Sequence, residues 1–175
     1  MSKANRIYPA KIEDLFASNS IRSGVIPYTT INNEIYWLMG ISKHYLWSDF
    51  GGGCKVAKGE TPYLCLIRET NEETNGLLTK VVKDSIERKE GVFVWAAYDG
   101  NGNVIEYLVI TPIPYQDYED IFVSNSEILN LVWVPQSEIL TNYTNINLFH
   151  PPIKRYITAF RRYGETSSLI PKKDV

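Results

Sequence analysis

The sequence lacks the features that mark membrane, secreted and broadly nucleic-acid-binding proteins. No apolar run is long enough to span a bilayer, and we expect no signal peptide. Its 175 residues include only two cysteines, and its net charge is −2. Two cysteines cannot build a disulfide framework or a cysteine-rich zinc site, and a nearly balanced charge provides no broad surface for nucleic acid.

Cysteine usage and chain length predict the compartment and the number of domains. We expect Cys54, in a loop, and Cys65, on a helix, to be free thiols. Free thiols are typical of a reducing compartment, so we expect a cytoplasmic protein. There is no internal repeat and no low-complexity segment, and the length suits one domain with a substantial core. We therefore expect a single domain over residues 1–175, with loose tails at 1–8 and 165–175.

Alternating hydrophobic residues and turn residues predict strands on both sides of a central helix. Strands over 21–29 and 34–42 are joined by an Asn-Asn turn, and strands over 92–98 and 104–111 by Asp-Gly-Asn-Gly. The other predicted elements are a short helix over 9–17, extended segments over 45–50 and 77–82, a last strand over 129–134 and a C-terminal helix over 151–163. This order predicts a mixed sheet covered on two faces.

The most informative segment is a helix with three glutamates on one face. Thr61 is a suitable N-cap and Pro62 suits the first helical position, so the helix begins here. Glu72 and Glu73 follow Glu69 by three and four residues, so the three side chains share a face and repel one another. Mg²⁺ or Mn²⁺ would relieve this repulsion, because both ions prefer carboxylate oxygens. The cluster indicates a metal site, although a solvated acidic face is the commoner use of such a helix.

Three consecutive glycines upstream of the helix favour the metal interpretation. The run 51–53 follows an aromatic-rich segment, and Glu60 stands just ahead of the helix. Consecutive glycines suit a backbone that turns sharply or approaches a ligand closely. A carboxylate-bound divalent metal beside such a loop suits a phosphate substrate, because the metal bridges phosphate oxygens.

The segment from Gly53 to Leu77 resembles the signature of the Nudix hydrolase family. That signature is G-x5-E-x7-R-E-U-x-E-E-x-G-U, in which U is a bulky aliphatic residue. Glu60, the pair Arg68-Glu69 and the pair Glu72-Glu73 match its central part without a gap. The resemblance therefore covers the acidic positions of the motif.

Three positions depart from the signature. Six residues separate Gly53 from Glu60 instead of five, so either the loop is one residue longer or Cys54 stands at the glycine position. Thr70 occupies the aliphatic position, and two residues instead of one precede Gly76. None of these departures changes an acidic position.

The resemblance implies a fold, a reaction and a class of partner. The implied fold is a Nudix α/β/α sandwich with a mixed β-sheet and the acidic loop-helix-loop motif on one side. The implied reaction is hydrolysis of a pyrophosphate bond in a nucleoside diphosphate linked to another moiety, by water attack on phosphorus, with Mg²⁺ or Mn²⁺ as cofactor. The expected partner is a nucleotide-derived small molecule and not a membrane. A homodimer fits the family. Capped RNA is compatible but not indicated, because the chain is short for a decapping enzyme with its own RNA-binding region.

By position, the resemblance also assigns roles in the site. The implied metal ligands are Glu69, Glu72, Glu73 and the loop backbone at Gly53. Arg68 is expected to pair with Glu72 and to hold the carboxylate geometry rather than to bind phosphate. Glu60 is expected to support the helix N-terminus rather than to bind metal.

The general base is less well defined by the resemblance. In many members it is a glutamate on the loop before the last strand, and Glu127 stands at such a place. The implied catalytic set is therefore Glu72, Glu73, Glu127 and Arg68. Glu119, Asp120 and the helix glutamates are alternative bases, whereas His150 and His44 fit better as cap or surface residues.

A second hypothesis is a catalytically weak Nudix-fold module that binds a nucleotide or a protein partner. Degenerate members usually lose signature glutamates, and none is lost here, so catalysis is favoured. A structural protein with an incidental acidic helix is a third interpretation. Several aromatic residues could stack on a nucleobase, although aromatics in strands more often belong to the core. These residues are Tyr28, Trp37, Tyr45, Trp47, Trp95 and Tyr115.

Overall fold

The computed structural model describes residues 6–142, 144–145 and 147–163. Within these residues, eight strands form one mixed sheet. The strands are β1 (Arg6–Pro9), β2 (Arg22–Ile31), β3 (Glu34–Ser42), β4 (Trp47–Ser48), β5 (Phe50–Gly53), β6 (Phe93–Tyr98), β7 (Val104–Pro112) and β8 (Ile128–Pro135).

The sheet divides at β2, and this division shapes the functional end of the molecule. The main path runs β1-β6-β7-β2-β3-β4, with β5 added to β2 and β8 added to β3. β2 is parallel to β7 and antiparallel to β3 and β5. Its first residues pair with β5, where Gly24 lies opposite Gly51, and its last residues pair with β3. A Cβ atom on Gly51 would lie 2.5 Å from the Gly24 Cα, so only glycine allows this pairing.

Helices cover both faces of the sheet. The helices are α1 (Asp14–Ala17), α2 (Pro62–Glu73), α3 (Thr79–Arg88), α4 (Tyr118–Ile121), α5 (Gln136–Thr141) and α6 (Pro151–Tyr163). One core lies under α5 and α6 and contains Trp37 and Trp95; the other lies under α1 to α4 and contains Phe50 and Leu66. Neighbouring strand residues alternate between the two cores, as the pleat requires. The prediction of an α/β/α sandwich with a mixed sheet is confirmed.

Two local predictions are wrong. Residues 6–8 belong to β1, which pairs with β6, and are not part of a loose tail. The predicted extended segment 77–82 instead leads into α3, because buried Leu78, Val82 and Ile86 recur every four residues and the charged positions between them face solvent. The predicted tail at 165–175 lies outside the described residues.

Within the described part of the chain, no helix combines the length and the apolar character that crossing a membrane requires.

Candidate functional site

A cavity of about 720 Å³ opens where β5 and β3 diverge along β2. Its walls come from β2, the β3–β4 turn, β5, α2, the loop before β8 and the residue before α6. The charged and imidazole side chains that line it are Arg22, Lys43, His44, Asp49, Glu69, Glu72, Glu73, Glu127 and His150. The three helix glutamates and Glu127, which are far apart in sequence, therefore share one cavity.

The other candidates for the general base divide between the cavity and the rest of the molecule. Glu119 and Asp120 are on α4, outside the cavity lining. His44 and His150, which the sequence did not favour, both line the cavity. His150 is half-buried, and burial lowers the pKa of its imidazole, so the neutral form is favoured near neutral pH.

The glycines of β5 bring the backbone against the carboxylates of α2. The Gly51 N–H donates to Glu73 Oε1 over 2.9 Å. A Cβ atom on Gly52 would lie 2.4 Å from Glu69 Oε1. A side chain at position 52 would therefore displace the Glu69 carboxylate from the place it occupies beside the strand.

A capping hydrogen bond fixes the start of α2, and two departures from the Nudix signature are accommodated in the helix and just after it. The Thr61 hydroxyl accepts a hydrogen bond from the Leu64 N–H at 3.2 Å, as an N-cap does. Thr70 is buried, and its hydroxyl donates to the Leu66 carbonyl at 2.7 Å, so the polar group is satisfied within the helix. At the other end, Asn75 adopts φ +55°. Asparagine tolerates this left-handed conformation, which accommodates the extra residue.

Arg68 is the centre of a carboxylate cluster. Its guanidinium contacts Glu60 at 2.7 and 3.0 Å, Glu69 at 2.7 Å and Glu72 at 3.2 Å. Its remaining N–H donates to the Gly53 carbonyl at 2.9 Å. All five N–H groups of the guanidinium thus have acceptors, and none is free for phosphate. The pairing of Arg68 with Glu72 that the sequence predicted is present.

Glu60 has the contacts of a supporting residue. Its carboxylate receives the two Arg68 hydrogen bonds and a third from the Lys55 N–H at 2.8 Å. The hydrogen bonds from Arg68 are the main cause of a lowered pKa at Glu60. Gly53 lies outside the cavity lining and directs its carbonyl towards Arg68, so its assignment as a metal ligand stays a prediction.

Glu73 lies in a different environment from its neighbours on α2. Burial, reinforced by the negative charge of Asp49, raises the pKa of Glu73 to about 9. The Gly51 N–H donates a hydrogen bond to this carboxylate, which offsets only part of these effects. A cation in the cavity would be favoured here, because it would compensate the charged form of this carboxylate.

Sequence reasoning missed a buried charge network behind the cavity. Arg22 binds both Asp49 oxygens, at 2.8 and 3.0 Å, and Glu106 at 2.6 Å. The Tyr156 hydroxyl donates to Asp49 at 2.7 Å, and Arg155 donates to Glu106. Burial opposes the charge of Asp49, but Arg22 outweighs it, so the pKa of Asp49 is lowered. No sequence signal joins these residues, because they come from β2, β7, α6 and the residue between β4 and β5, and meet only in the fold.

Glu127 is positioned by its loop. The Asn125 side chain donates to the Glu73 carbonyl at 2.9 Å and accepts from the Glu127 N–H at 2.8 Å. The Glu127 carbonyl accepts from the Lys43 N–H at 3.0 Å. The loop is therefore tied both to the end of α2 and to the β3–β4 turn.

The donor set suits a hard divalent cation. Four glutamates line the cavity, and Arg68 compensates only two of them, which leaves an excess of negative oxygen donors. Glu69, Glu72 and Glu73 are not gathered within 4.8 Å of one another, because Arg68 draws two of them towards itself. Such convergence is not required, since Mg²⁺ typically uses one or two carboxylates with water and substrate phosphates.

A closer cluster of potential ligands is already committed to other bonds. Among the described residues, Cys54, Glu60 and Cys65 form the one group of three such atoms within 4.8 Å. The two sulfur atoms form a disulfide, and both Glu60 oxygens accept hydrogen bonds. These atoms are therefore not a metal site.

The disulfide corrects the prediction of free thiols. Cys54 and Cys65 are 11 residues apart and their Cα atoms are 5.2 Å apart. They meet because the segment after β5 folds back onto the first turns of α2, which sequence spacing did not indicate. The bridge ties the glycine strand to the acidic helix, and the cytoplasmic location no longer has support from free thiols.

The chain matches no protein-family model and no curated protein. It is similar to a protein from Listeria monocytogenes described as a NUDIX hydrolase, at 16% identity and a TM-score of 0.54, with 86% of this chain and 98% of that chain covered. An Ap4A hydrolase from C. elegans in a binary complex is 18% identical with a TM-score of 0.49, covering 82% of this chain and 96% of that one. The likeness to the Listeria protein shows that this chain has the Nudix fold.

Proposed function

We propose that this protein is a divalent-metal-dependent hydrolase that cuts a pyrophosphate bond in a nucleoside diphosphate linked to another moiety. The observation that carries the proposal is the cavity in which Glu69, Glu72, Glu73 and Glu127 meet the glycine strand β5. A cluster of carboxylates beside an unobstructed backbone suits a metal-bound pyrophosphate.

The chain's own residues have distinct proposed roles. Glu69, Glu72 and Glu73 would hold Mg²⁺ or Mn²⁺, with the Gly53 carbonyl as a further ligand. When bound, the metal neutralises phosphate oxygens and lowers the pKa of coordinated water. Arg68 positions the carboxylates and does not contact substrate, because its N–H groups are occupied.

Glu127 is the proposed general base. Its loop is held by Asn125 and Lys43, and its exposed carboxylate lines the cavity, so it can accept a proton from the attacking water. His150 is the alternative base, because its imidazole lines the same cavity and burial favours its neutral form. The variants Glu127→Gln and His150→Ala separate the two: the base is the residue whose loss removes the acidic limb of the pH–rate profile, in which the rate rises as the base loses its proton.

The proposal is tested with a substrate screen followed by variants. Nucleoside diphosphate derivatives, nucleoside triphosphates, diadenosine polyphosphates and capped RNA are incubated with Mg²⁺ or Mn²⁺, and phosphate-containing products are measured. Glu72→Gln and Glu73→Gln should each lower turnover of the best substrate by roughly 100-fold or more, because each removes a charged ligand.

Glu119→Gln is the matched control, because this glutamate lies on α4 outside the cavity. It should keep the parent rate. If Glu72→Gln or Glu73→Gln hydrolysed the substrate at the parent rate, or if no substrate were cut, the proposed hydrolase would be wrong.

One observation favours a second function, a nucleotide-binding module without turnover. The ligand atoms of Glu69, Glu72 and Glu73 do not all lie within 4.8 Å of one another, as expected of a site that does not gather a catalytic metal. This alternative predicts that calorimetry detects nucleotide binding while no product forms with either metal. A cytoplasmic location and a homodimer remain proposals from the sequence, and light scattering tests the latter.

A further inference from the structure

The β3–β4 turn, residues 43–46, carries a cation that lines the cavity and, two residues further along the chain, an exposed aromatic ring. Lys43 and His44 line the cavity together with the glutamates of α2. Tyr45 follows immediately, and 78% of its surface is exposed. The turn therefore combines a group that binds phosphate with a ring that can stack, next to the proposed site of hydrolysis.

The turn is preformed by its own hydrogen bonds. The Tyr45 N–H donates to the Ser42 carbonyl at 2.8 Å, and the Ser42 N–H donates to the Leu46 carbonyl at 2.9 Å. The Ser42 hydroxyl accepts from the backbone N–H groups of His44 and Leu46, each at 3.3 Å. The Lys43 N–H joins the turn to the Glu127 loop. Ligand binding would therefore not have to include the entropic cost of ordering this turn.

Tyr45 adopts an uncommon backbone conformation. Its φ is +63°, in the left-handed region that bulky side chains rarely occupy. Glycine or asparagine would fit this position with less backbone strain. Strained residues of this kind cluster at functional sites, which favours a functional role for the tyrosine side chain. The exposed ring does little to offset this strain, because it gains little burial from the fold.

The other aromatic candidates for base stacking are already engaged. Tyr28, Trp37 and Trp95 are buried in the core. Trp47 packs on Phe149, with ring centroids 5.5 Å apart, and Tyr115 packs on Trp133 at 5.9 Å. Within the described part of the chain, Tyr45 forms no ring–ring pair, and it directly follows Lys43 and His44, which line the cavity.

The charge of Lys43 is available to a ligand. Its ammonium group forms no ion pair within residues 6–142, 144–145 and 147–163, although acidic side chains line the same cavity. By contrast, Arg22 and Arg68 are both bound to carboxylates that line the cavity. Lys43 is therefore the cation of the cavity that can take a phosphate oxygen without breaking an ion pair.

We propose that the β3–β4 turn is the nucleotide-recognition element of the site, with Tyr45 stacking on the base and Lys43 binding a phosphate of the same molecule. The inference rests on the proposed function for the identity of the substrate class. Binding itself does not require turnover, so it can be measured with ligands that are not hydrolysed.

The experiment compares two probes by calorimetry in the presence of Mg²⁺. One is α,β-methylene-ADP, which has a base and resists cleavage, and the other is methylenediphosphonate, which has no base. Tyr45→Asn removes the ring but suits the positive φ, whereas Tyr45→Phe keeps the ring. Tyr45→Asn should raise the Kd of the nucleotide by roughly 5- to 100-fold, the usual effect of losing one stacking partner.

The pattern across probes and variants is the decisive result. Tyr45→Asn should leave the Kd of methylenediphosphonate unchanged, Tyr45→Phe should stay within about twofold of the parent for both probes, and Lys43→Gln should weaken both probes. Tyr115→Asn, an exposed tyrosine away from the cavity, is the matched control and should change neither.

Three results would overturn the inference. These are parent-like nucleotide binding by Tyr45→Asn, equal weakening of both probes by Tyr45→Asn, and no nucleotide binding by the parent protein. The outcome is separable from that of the proposed hydrolase. Parent-like nucleotide binding by Tyr45→Asn would reject the role of the turn even if Glu72→Gln abolished turnover. Parent-rate turnover by Glu72→Gln would reject the catalytic assignment alone.

Discussion

Two arginine–carboxylate clusters border the cavity, and they differ in how they are built. Arg68 is 23% exposed and its partners, Glu60, Glu69 and Glu72, lie within eight residues of it. The Arg22 side chain is 18% exposed, but its partners Asp49 and Glu106 are almost fully buried and lie 27 and 84 residues away.

The difference in burial indicates that one cluster determines the geometry of the site and the other the stability of the fold. The partners of Arg68 are 13%, 17% and 53% exposed, so water screens these ion pairs more than those of Arg22, whose partners are 1% and 3% exposed. Screened ion pairs contribute less to folding, whereas breaking a buried pair leaves an uncompensated charge. We therefore infer that the Arg68 cluster sets the positions of the site carboxylates, and that the Arg22 cluster holds the strands behind the site together.

The largest expected effect comes from breaking the buried cluster. Arg22→Met leaves Asp49 and Glu106 with fewer partners and should lower the free energy of unfolding by about 3–5 kcal/mol. Urea denaturation followed by circular dichroism measures this value. A cost no larger than that of Arg68→Met would contradict the distinction between the two clusters.

Reduction of the disulfide should have the next largest effect. The Cys54–Cys65 bridge closes a short loop beside the Arg68 cluster, and its loss should lower the free energy of unfolding by about 3 kcal/mol. Thermal unfolding with and without dithiothreitol measures the change. The Cys54→Ser/Cys65→Ser double variant is the control, because it should be insensitive to reductant; an equal response from both proteins would show that the bridge is not the cause.

Glu73 predicts a dependence of stability on pH in the metal-free protein. Its folded-state pKa of about 9 lies far above the usual glutamate value. Between these two pKa values the unfolded state binds fewer protons than the folded state, so the free energy of unfolding falls as pH rises. Between pH 7 and pH 9 the loss should be about 2 kcal/mol. Denaturation in EDTA at several pH values measures it.

Glu60 sharpens this test, because its pKa is lowered rather than raised. Its contribution to stability is present above the usual glutamate pKa and is lost as pH falls, outside the range of the Glu73 effect. Glu73→Gln should therefore flatten the slope between pH 7 and pH 9, and Glu60→Gln should not. The reverse result would mean that the slope has another origin.

The smallest stability effect is expected at Arg68. Arg68→Met should lower the free energy of unfolding by about 1 kcal/mol or less, because its partners can be solvated. Turnover should nevertheless fall by roughly 10- to 100-fold, because the carboxylates lose the group that orients them. Denaturation and steady-state kinetics on one preparation test both statements, and a large loss of stability with unchanged turnover would reverse the assigned roles.

The same contrast explains what the sequence could predict. The Arg68 cluster could be predicted because helical spacing places Glu69 and Glu72 near Arg68. The N-cap residue Thr61 marks where α2 begins. The alternating pattern also predicted most strands. α3 was missed because its apolar residues are sparse among charged ones.

The Arg22 cluster and the disulfide could not be predicted in the same way. Asp49 appears in the sequence as one residue of an aromatic run, and Glu106 lies in the middle of a hydrophobic strand. Only the pairing of β2 with β7 and β5 brings them to Arg22. Likewise, Cys54 meets Cys65 only after the segment between them has folded back.

The parallel pairing of β2 with β7 has a consequence for the order in which the molecule forms. Arg22 lies opposite Glu106, so this ladder closes a long loop, whereas β2 and β3 form a local hairpin. Closing long loops is slow because chain entropy must be lost first. We expect the acidic helix to form early during refolding and its metal-binding capacity to appear late. A stopped-flow metal-binding signal that precedes sheet formation would reverse this order.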